Sequence, residues 1–568
     1  MGLTSVLQIG RSGISVSQAG IQIAGNNMAN AATPGYSRQT MSTGSIRGQQ
    51  IGPNAFSGNG VELRAVIRHV DEAVLGRLRS AISDQNSAEA DQSLLSQIES
   101  LQNELTDTDL STGLTEFFAT WNELASRPND SSVQALVVQR GAILTEQIQG
   151  LRQDYVELRT QIDRDLGTAV SKANELISRI AEINREISSS ERGQGTNSAL
   201  RDQRDNMLDE LSSLIDISTN EQPNGAVDVF VGSIPVVLGD ESRGLDLDVR
   251  ASSTGTTVSV RVKADGSRLE IGSGRIGAFL NARDGAVQDA MDDLDQVSSS
   301  LIWNVNRAHS QGQGKIGFSS VTGTYQVADQ TAVLDSAGAD LPFAIQNGSF
   351  LLHLTDTGTG ARSTYKINVD LDGVGTDMSL DDLVTQINSA LGGTGATASV
   401  TGDGKLKIAA DSGNELSFSE DSAGVLAGLG INTYFTGEDA TDIAVNDVVI
   451  DTTGLLAVWM DHVEGSNGTA LSIAQLDGQS LNELGGESFS AFWAKHVEDL
   501  AVRTGASNIR VESSRVIRES LDGQRAGVSG VSLDEESVNL INFQQQYQAS
   551  ARLIAMADQL TQVLLSIV

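Results

Sequence analysis

The sequence predicts a discontinuous, multidomain α+β protein. Its N- and C-terminal helices are expected to pair as a coiled coil, around a long-helix rod domain with a small β part and an inserted β-rich domain. Three observations carry this. Apolar heptads occur at both ends of the chain. An unbroken helical stripe runs over more than forty residues in between. A Gly/Thr/Asp/Ser-rich tract with strand-like alternation occupies residues 320–460.

At the N-terminus, Leu7, Ile14, Ile21 and Met28 recur every seven residues. A second row, Leu3, Gly10, Ser17, Ala24 and Ala31, runs beside it and is mostly small. Small residues permit close helix approach but weaken the helix itself. Gly10, Gly13, Gly20 and Gly25 cost about 0.8–1.0 kcal/mol each against Ala, so roughly 3–4 kcal/mol together. Such a helix is expected to be marginal alone and to order when neighbours pack on it. At the other end Leu540, Tyr547, Ile554, Thr561 and Val568 share a heptad row, with Phe543, Ser550, Ala557 and Leu564 three residues later.

Residues 85–217 read as helix. Leu144, Ile148, Leu151, Tyr155, Leu158 and Ile162 follow a 4-3-4-3-4 spacing, continued by Leu166, Val170, Ala173, Ile177, Ile180 and Ile187. That is a rod of roughly 65 Å at 1.5 Å per residue. Gly193-Gln194-Gly195 breaks it before a return helix with Leu200, Leu208 and Leu211. A third helical tract spans Ile276 to Ala308, and a fourth lies within 487–521. Residues 226–272 alternate as strands, for example Val227-Asp228-Val229-Phe230-Val231. Within 320–460, Phe350, Leu352 and Leu354 alternate, a helix starts at Ser379 with Asp382 as an approximate capping box, and Gly402-Asp403-Gly404 signals a hairpin. The expected domains are 1–60 with 526–568, 61–319 with 462–525, and the insert 320–461.

Composition narrows the function. The 568 residues carry 38 basic and 73 acidic side chains, a net charge of −35. That field repels phosphate backbones and anionic lipid, so neither nucleic acid nor membrane is expected as a partner. There are no cysteines, which excludes disulfides, thiolate metal sites and a Cys nucleophile. None of His69, His309, His353, His462 and His496 lies three to five residues from another, so no local zinc pair exists. The longest apolar run, Leu455 to Met460, is far short of a membrane span, and no basic residue precedes Arg11 to suggest a secretory signal. No cofactor is expected.

Two motif matches read as turns. Gly272-Ser273-Gly274-Arg275-Ile276-Gly277 matches a dinucleotide fingerprint, but its helix does not return to a parallel strand within about thirty residues. Asp370-Leu371-Asp372-Gly373 resembles the start of a calcium loop, yet Val374 stands where a carboxylate is needed; a hairpin turn is expected instead. Phe117, Phe118 and Trp121 read as core.

The specific signal is Asn26-Asn27-Met28-Ala29-Asn30-Ala31-Ala32-Thr33-Pro34-Gly35-Tyr36-Ser37-Arg38. Pro34 and Gly35 suit positions i+1 and i+2 of a type II turn, and the asparagines can bond the helix end. This run resembles the N-terminal signature of bacterial flagellar rod, hook and hook-associated proteins; its Thr-Pro-Gly-Tyr-Ser-Arg form is similar to that of a hook-associated member, whereas hook and rod members usually depart from it. Residues 539–565 (NLINFQQQYQASARLIAMADQLTQVLL), 117–128 (FFATWNELASRP) and 202–211 (DQRDNMLDEL) are similar to the same family. The resemblance implies a structural axial protein of the hook–filament junction with no catalytic activity. It further implies export without a cleaved signal, self-association, contact with the flagellar hook protein and hook-associated protein 3, and a cytoplasmic export chaperone on the C-terminal helix. The expected assembly interface is Leu7, Ile14, Ile21, Met28, Asn30, Thr33, Pro34, Gly35 and Tyr36 with Leu540, Phe543, Tyr547, Ile554 and Leu564. The alternatives are another axial protein of hook or rod type, or an exported hydrolase with its site in the β insert. Mobile ends that order on assembly would be protease-sensitive while roughly residues 85–520 resist.

Overall fold

A computed structural model describes residues 3–52, 55–103, 109–192, 195–252, 255–460 and 463–567. Along the chain, helices α1 (Leu3–Ala29), α2 (Glu72–Gln102), α3 (Leu110–Ser126), α4 (Ser131–Ser190) and α5 (Ser198–Leu214) come first. Next are α6 (Gly274–Asn281), α7 (Val287–His309) and α8 (Leu380–Leu391), then the short α9 (Val425–Gly428), α10 (Asp447–Asp451) and α11 (Gly468–Gln475). The chain ends with α12 (Phe489–Ser529) and α13 (Leu533–Ile567). Two compact units result: Met1–Leu94 with Gln161–Asp284 and Gly505–Val568, and Leu95–Thr160 with Gly285–Thr504.

The rod helix is α4, which at 60 residues exceeds the expected stripe. Leu144, Ile148, Tyr155, Ile162, Leu166, Ile177, Ile180 and Ile187 are all fully buried, so the 4-3-4 pattern marks its inner face throughout. The break at Gly193-Gln194 lies outside the described residues.

In the first unit α1 and α13 pack together. Strand 39–45 pairs antiparallel with 61–68. Strands 218–221, 227–231, 234–238 and 241–242 form a four-stranded meander, and 245–252 with 255–262 a hairpin. Two asparagines of α4 join these strands to the helix. Asn184 Nδ2 donates to Val227 O at 2.8 Å and Gly239 O at 2.7 Å; Asn174 exchanges two hydrogen bonds with the backbone of Leu245. Each satisfies strand groups that end-of-sheet geometry would leave bare.

The second unit contains two three-stranded sheets. One has the order 320–322, 406–410, 396–400; the other 362–369, 348–356, 414–419. They share one aliphatic core with α8, from Phe350, Leu352, Ile367, Leu380, Leu383, Ile387, Ile408 and Phe418. The capping box at Ser379 and Asp382 is present, and so is the hairpin turn between 396–400 and 406–410. Phe117, Phe118 and Trp121 are fully buried with Tyr434, Phe435 and Phe489 in a cluster of edge-on and tilted rings.

Three details depart from the expected elements. The third tract is not one helix: a π turn at Ala282–Ala286 separates α6 from α7. Its Arg283 is fully buried, bonded to Asp163, Asp284 and both oxygens of Thr256, and the extra residue per turn turns this cation toward those acceptors. The Gly-x-Gly run has no strand before it; Gly274, at φ +77, packs against the backbone of Leu214 and Ile215 at the end of α5. The Asp370 segment is not a hairpin turn but the connection from strand 362–369 to α8, where oxygens of the exposed Asp370 and Asp372 and the half-buried Asp377 converge within 4.8 Å. Among the described residues no helix is long and apolar enough to cross a membrane.

Candidate assembly site

The site is the foot of the α1–α13 pair, where the turn after α1 meets α5 and the start of α13. Asn30 closes α1 by donating from Nδ2 to Asn26 O at 3.0 Å, and Thr33 Oγ1 donates to Asn30 Oδ1 at 3.3 Å. The Tyr36 N–H donates to Thr33 O at 3.2 Å, closing a turn across Pro34 and Gly35. Gly35 has φ +75, the value a type II turn demands at this position. A Cβ there would also collide with the carboxamide of Asn206 on α5.

Asn27 is the hub. It is fully buried, and its Oδ1 accepts from the Tyr36 hydroxyl at 2.7 Å and from the Gln39 N–H at 3.0 Å. Its Nδ2 donates to Gln39 O at 2.8 Å and to Glu536 Oε2 on α13 at 3.1 Å. The other oxygen of the buried Glu536 accepts from Arg38, whose remaining nitrogen pairs with Glu535 at 2.9 Å. The Arg38 N–H donates to Ser529 O at 2.9 Å, fixing the end of α12 to the same place. Burial, reinforced by Asp202 and Glu536, pushes the Tyr36 hydroxyl up to about 12.

Beneath the turn, α5 presents Asp202, Asp205 and Asp209 at spacings of three and four, one face of the helix. Asp202 accepts from the Ser37 N–H at 3.3 Å and pairs with Arg68 at 2.8 Å. Asp205 pairs with Arg68 and with Arg79 at 3.0 Å, and Asp209 with Arg79 at 3.1 Å and Arg525 at 2.9 Å. One acidic row thus staples a strand, α2 and α12. Burial outweighs the guanidinium groups and raises Asp202 and Asp209 above the ordinary carboxylate range.

Along the seam, a Cβ on Gly10 would stand 2.5 Å from Ile554, one on Gly13 2.5 Å from Ser550, and one on Gly20 2.7 Å from the Phe543 ring. The partners fall in sequence as the glycines rise, so the helices run antiparallel. The small row makes this seam: Gly10, Ser17 and Ala24 are buried, with Gly20 and Val16. The large row does not sit in it as a symmetric coiled coil would require. Leu7 is exposed, and Ile14, Ile21 and Met28 are half-buried. Bare backbone lets the helices approach further than two rows of large side chains would.

Of the other expected interface residues, Asn30, Gly35, Tyr36, Leu540, Phe543, Tyr547 and Ile554 are partly buried, and Thr33 and Pro34 exposed. The side chain of Leu564 lies outside the description. Asn27, Arg38, Glu536 and the acidic row of α5 were not anticipated as a site, although the three-and-four spacing in residues 202–209 was there to be read. The outer face of α13 exposes Val538, Ile541, Met556, Leu560 and Val563. This arrangement positions helices.

A family described as flagellar hook-associated protein FlgK helical domain matches residues 95–320. One described as flagellar basal body rod FlgEFG protein C-terminal matches 526–567, and the flagellin hook IN motif matches 352–412. The chain is 27% identical to flagellar hook-associated protein 1 of Escherichia coli K12 over the full length of both. It is 24% identical to the protein of that name from Bacillus subtilis 168, over 98% of this chain and 96% of the other. Its fold is similar to the flagellar hook junction protein FlgK of Burkholderia pseudomallei, with a TM-score of 0.50 and 16% identity, covering 80% of this chain and all of the other.

Proposed function

The chain belongs to the flagellar hook-associated protein 1 family, and we propose that, as a structural protein of the flagellar hook–filament junction, it assembles through the faces its terminal helix pair leaves uncovered. One observation carries the reading. The seam between α1 and α13 uses the small row, so Leu7 on one helix and Val538, Ile541, Met556, Leu560 and Val563 on the other stay in water. An apolar face on α13, with Leu7 on α1, suits association with further copies, each helix ordering as a neighbour covers it.

On this reading residues 1–60 and 526–568 form the tube-facing domain, 61–319 with 462–525 the rod domain, and 320–461 an outer domain. The partners are further copies of the chain, the flagellar hook protein and hook-associated protein 3. A cytoplasmic chaperone shields the α13 face before export, which proceeds without a cleaved signal to a final place outside the cell. The role assigns no catalysis, and turnover of glycans or peptides by the full chain would contradict it. The test adds purified protein to isolated hooks, comparing the full chain with one lacking residues 531–568. The full chain is expected to cap the hooks and the shortened one to remain in solution; equal incorporation overturns the reading.

A further inference from the structure

Away from the terminal helices, the second unit has a neck at which its β-rich segment leaves and re-enters the helical part. Two side chains at the end of α7 hold it. Asn306 Oδ1 accepts the N–H groups of Tyr434 at 3.0 Å and Phe435 at 2.8 Å, and its Nδ2 donates to Phe435 O at 2.9 Å. One turn later stands His309, fully buried. Its Nδ1 lies 2.8 Å from the carbonyl oxygen of Asn432, and the N–H of Ala457 points at its Nε2 from 3.0 Å. Asn432 in turn donates to Ser310 O at 3.1 Å and Gly312 O at 2.9 Å, and Gln313 pairs with Trp459 through two backbone hydrogen bonds. Entry, middle and exit of the segment therefore meet at one imidazole.

The two partners fix the state of that ring. A carbonyl can only accept, so Nδ1 carries the proton; an amide N–H can only donate, so Nε2 must be bare. The neutral Nδ1–H tautomer satisfies both, and the imidazolium satisfies one. Among the described residues no carboxylate acts on the ring. From α3 the Trp121 ring lies 6.4 Å away, and from the β-rich segment the Tyr434 ring lies 5.8 Å away, its hydroxyl donating to Val137 O at 2.8 Å. Tyr434 is the titratable group facing His309, and burial keeps it protonated far above its ordinary value. On the exit side Leu456 and Val458 flank Ala457, both buried; on α11 the buried residues are Thr469, Ala470 and Ile473. Arg307 on α7 itself is exposed.

We propose that this neck is an acid-sensitive latch: protonation of His309 at Nε2 takes away the acceptor of the Ala457 N–H and releases the exit segment 456–459 from the end of α7. Burial accordingly lowers His309 to about 4. Because the folded value lies below the unfolded one of about 6.5, the ring's contribution is complete above pH 6.5 and is lost as pH falls toward 4. The latch responds to acid in the free chain and does not depend on assembly.

The test follows amide exchange of Ala457 in the full-length monomer between pH 7.5 and 4, corrected for intrinsic rates, in the wild type, His309→Gln and His353→Gln. His353, bonded to Thr364 and Ser419 within the sheet and also lowered to about 4, is the control. Protection of Ala457 is expected to fall through this range in the wild type and in His353→Gln. In His309→Gln it stays level with pH, whatever its starting value, and unfolding near pH 5 takes up about one proton fewer. Level protection in the wild type, or an unchanged fall in His309→Gln, overturns the latch. Should His309→Gln not fold, ring titration of histidine-labelled His353→Gln decides: one ring must stay neutral at pH 5.5, and all four titrating near about 6.5 overturns the proposal.

Discussion

Asn27 on the first helix and Glu536 at the start of the last are joined by a 3.1 Å hydrogen bond across 509 positions of sequence. Both side chains are buried, and every polar atom of the Asn27 carboxamide is engaged. The bond sets where the two terminal helices meet, and with Arg38 it ties their foot to the end of α12.

Replacing Asn27 with Ala leaves Glu536 and the Gln39 backbone without their partner. A loss of roughly 1–3 kcal/mol is expected, the desolvation of groups left unpaired. Urea unfolding followed by circular dichroism measures it. Asn27→Asp is expected to be at least as harmful, since it sets a second carboxylate against Glu536.

Gly35→Ala meets two obstacles. The left-handed backbone costs a side chain about 1–2 kcal/mol, and the new methyl strikes Asn206. Asn206 is exposed and its carboxamide can be removed without a cavity. In a double-mutant cycle Asn206→Ala should therefore recover the clash and leave the backbone penalty. Full recovery would show that φ +75 is not required there.

Gly20→Ala sets propensity against packing. An isolated peptide of residues 3–29 should gain helix, by about 0.8–1.0 kcal/mol. In the full chain the added methyl has the Phe543 ring at 2.7 Å, and overpacking of this kind typically costs about 1–3 kcal/mol. Peptide helicity should rise while protection of α13 in the intact protein falls.

Tyr36 makes the foot sensitive to base. Its folded value, about 12, lies above the ordinary 10, so the fold favours the neutral phenol. That contribution is complete below pH 10 and is lost as pH rises toward 12. Tyr36→Phe is expected to be less stable at neutral pH, having lost the bond to Asn27, but to show a flatter decline over pH 10–12. An identical decline in both proteins contradicts the assignment.

The heptads at the two ends made the pairing of α1 with α13 legible, because period seven can be read from the order of residues alone. Which row forms the seam did not, since large residues dominate any pattern of hydrophobicity while Gly10, Gly13 and Gly20 act through the absence of a side chain. The turn at Pro34-Gly35 was readable from local chemistry. The role of Asn27 was not: an asparagine near a helix end has a sufficient local explanation, and its partner lies at the other end of the chain. The π turn at Arg283 was hidden for the converse reason. Leu280, Val287 and Met291 keep an almost regular period across it, and the acceptors that draw Arg283 aside come from residues 163 and 256.

Amide exchange of residues 3–29 and 533–567, measured in the free chain and again after its addition to hooks, tests the central claim most directly. Residues on the outer faces, Leu7, Val538, Ile541, Met556, Leu560 and Val563, should exchange faster than the seam residues in the free protein and become protected on the hook. Equal, strong protection in both states would mean that the terminal helices are complete without neighbours, and the account would be wrong.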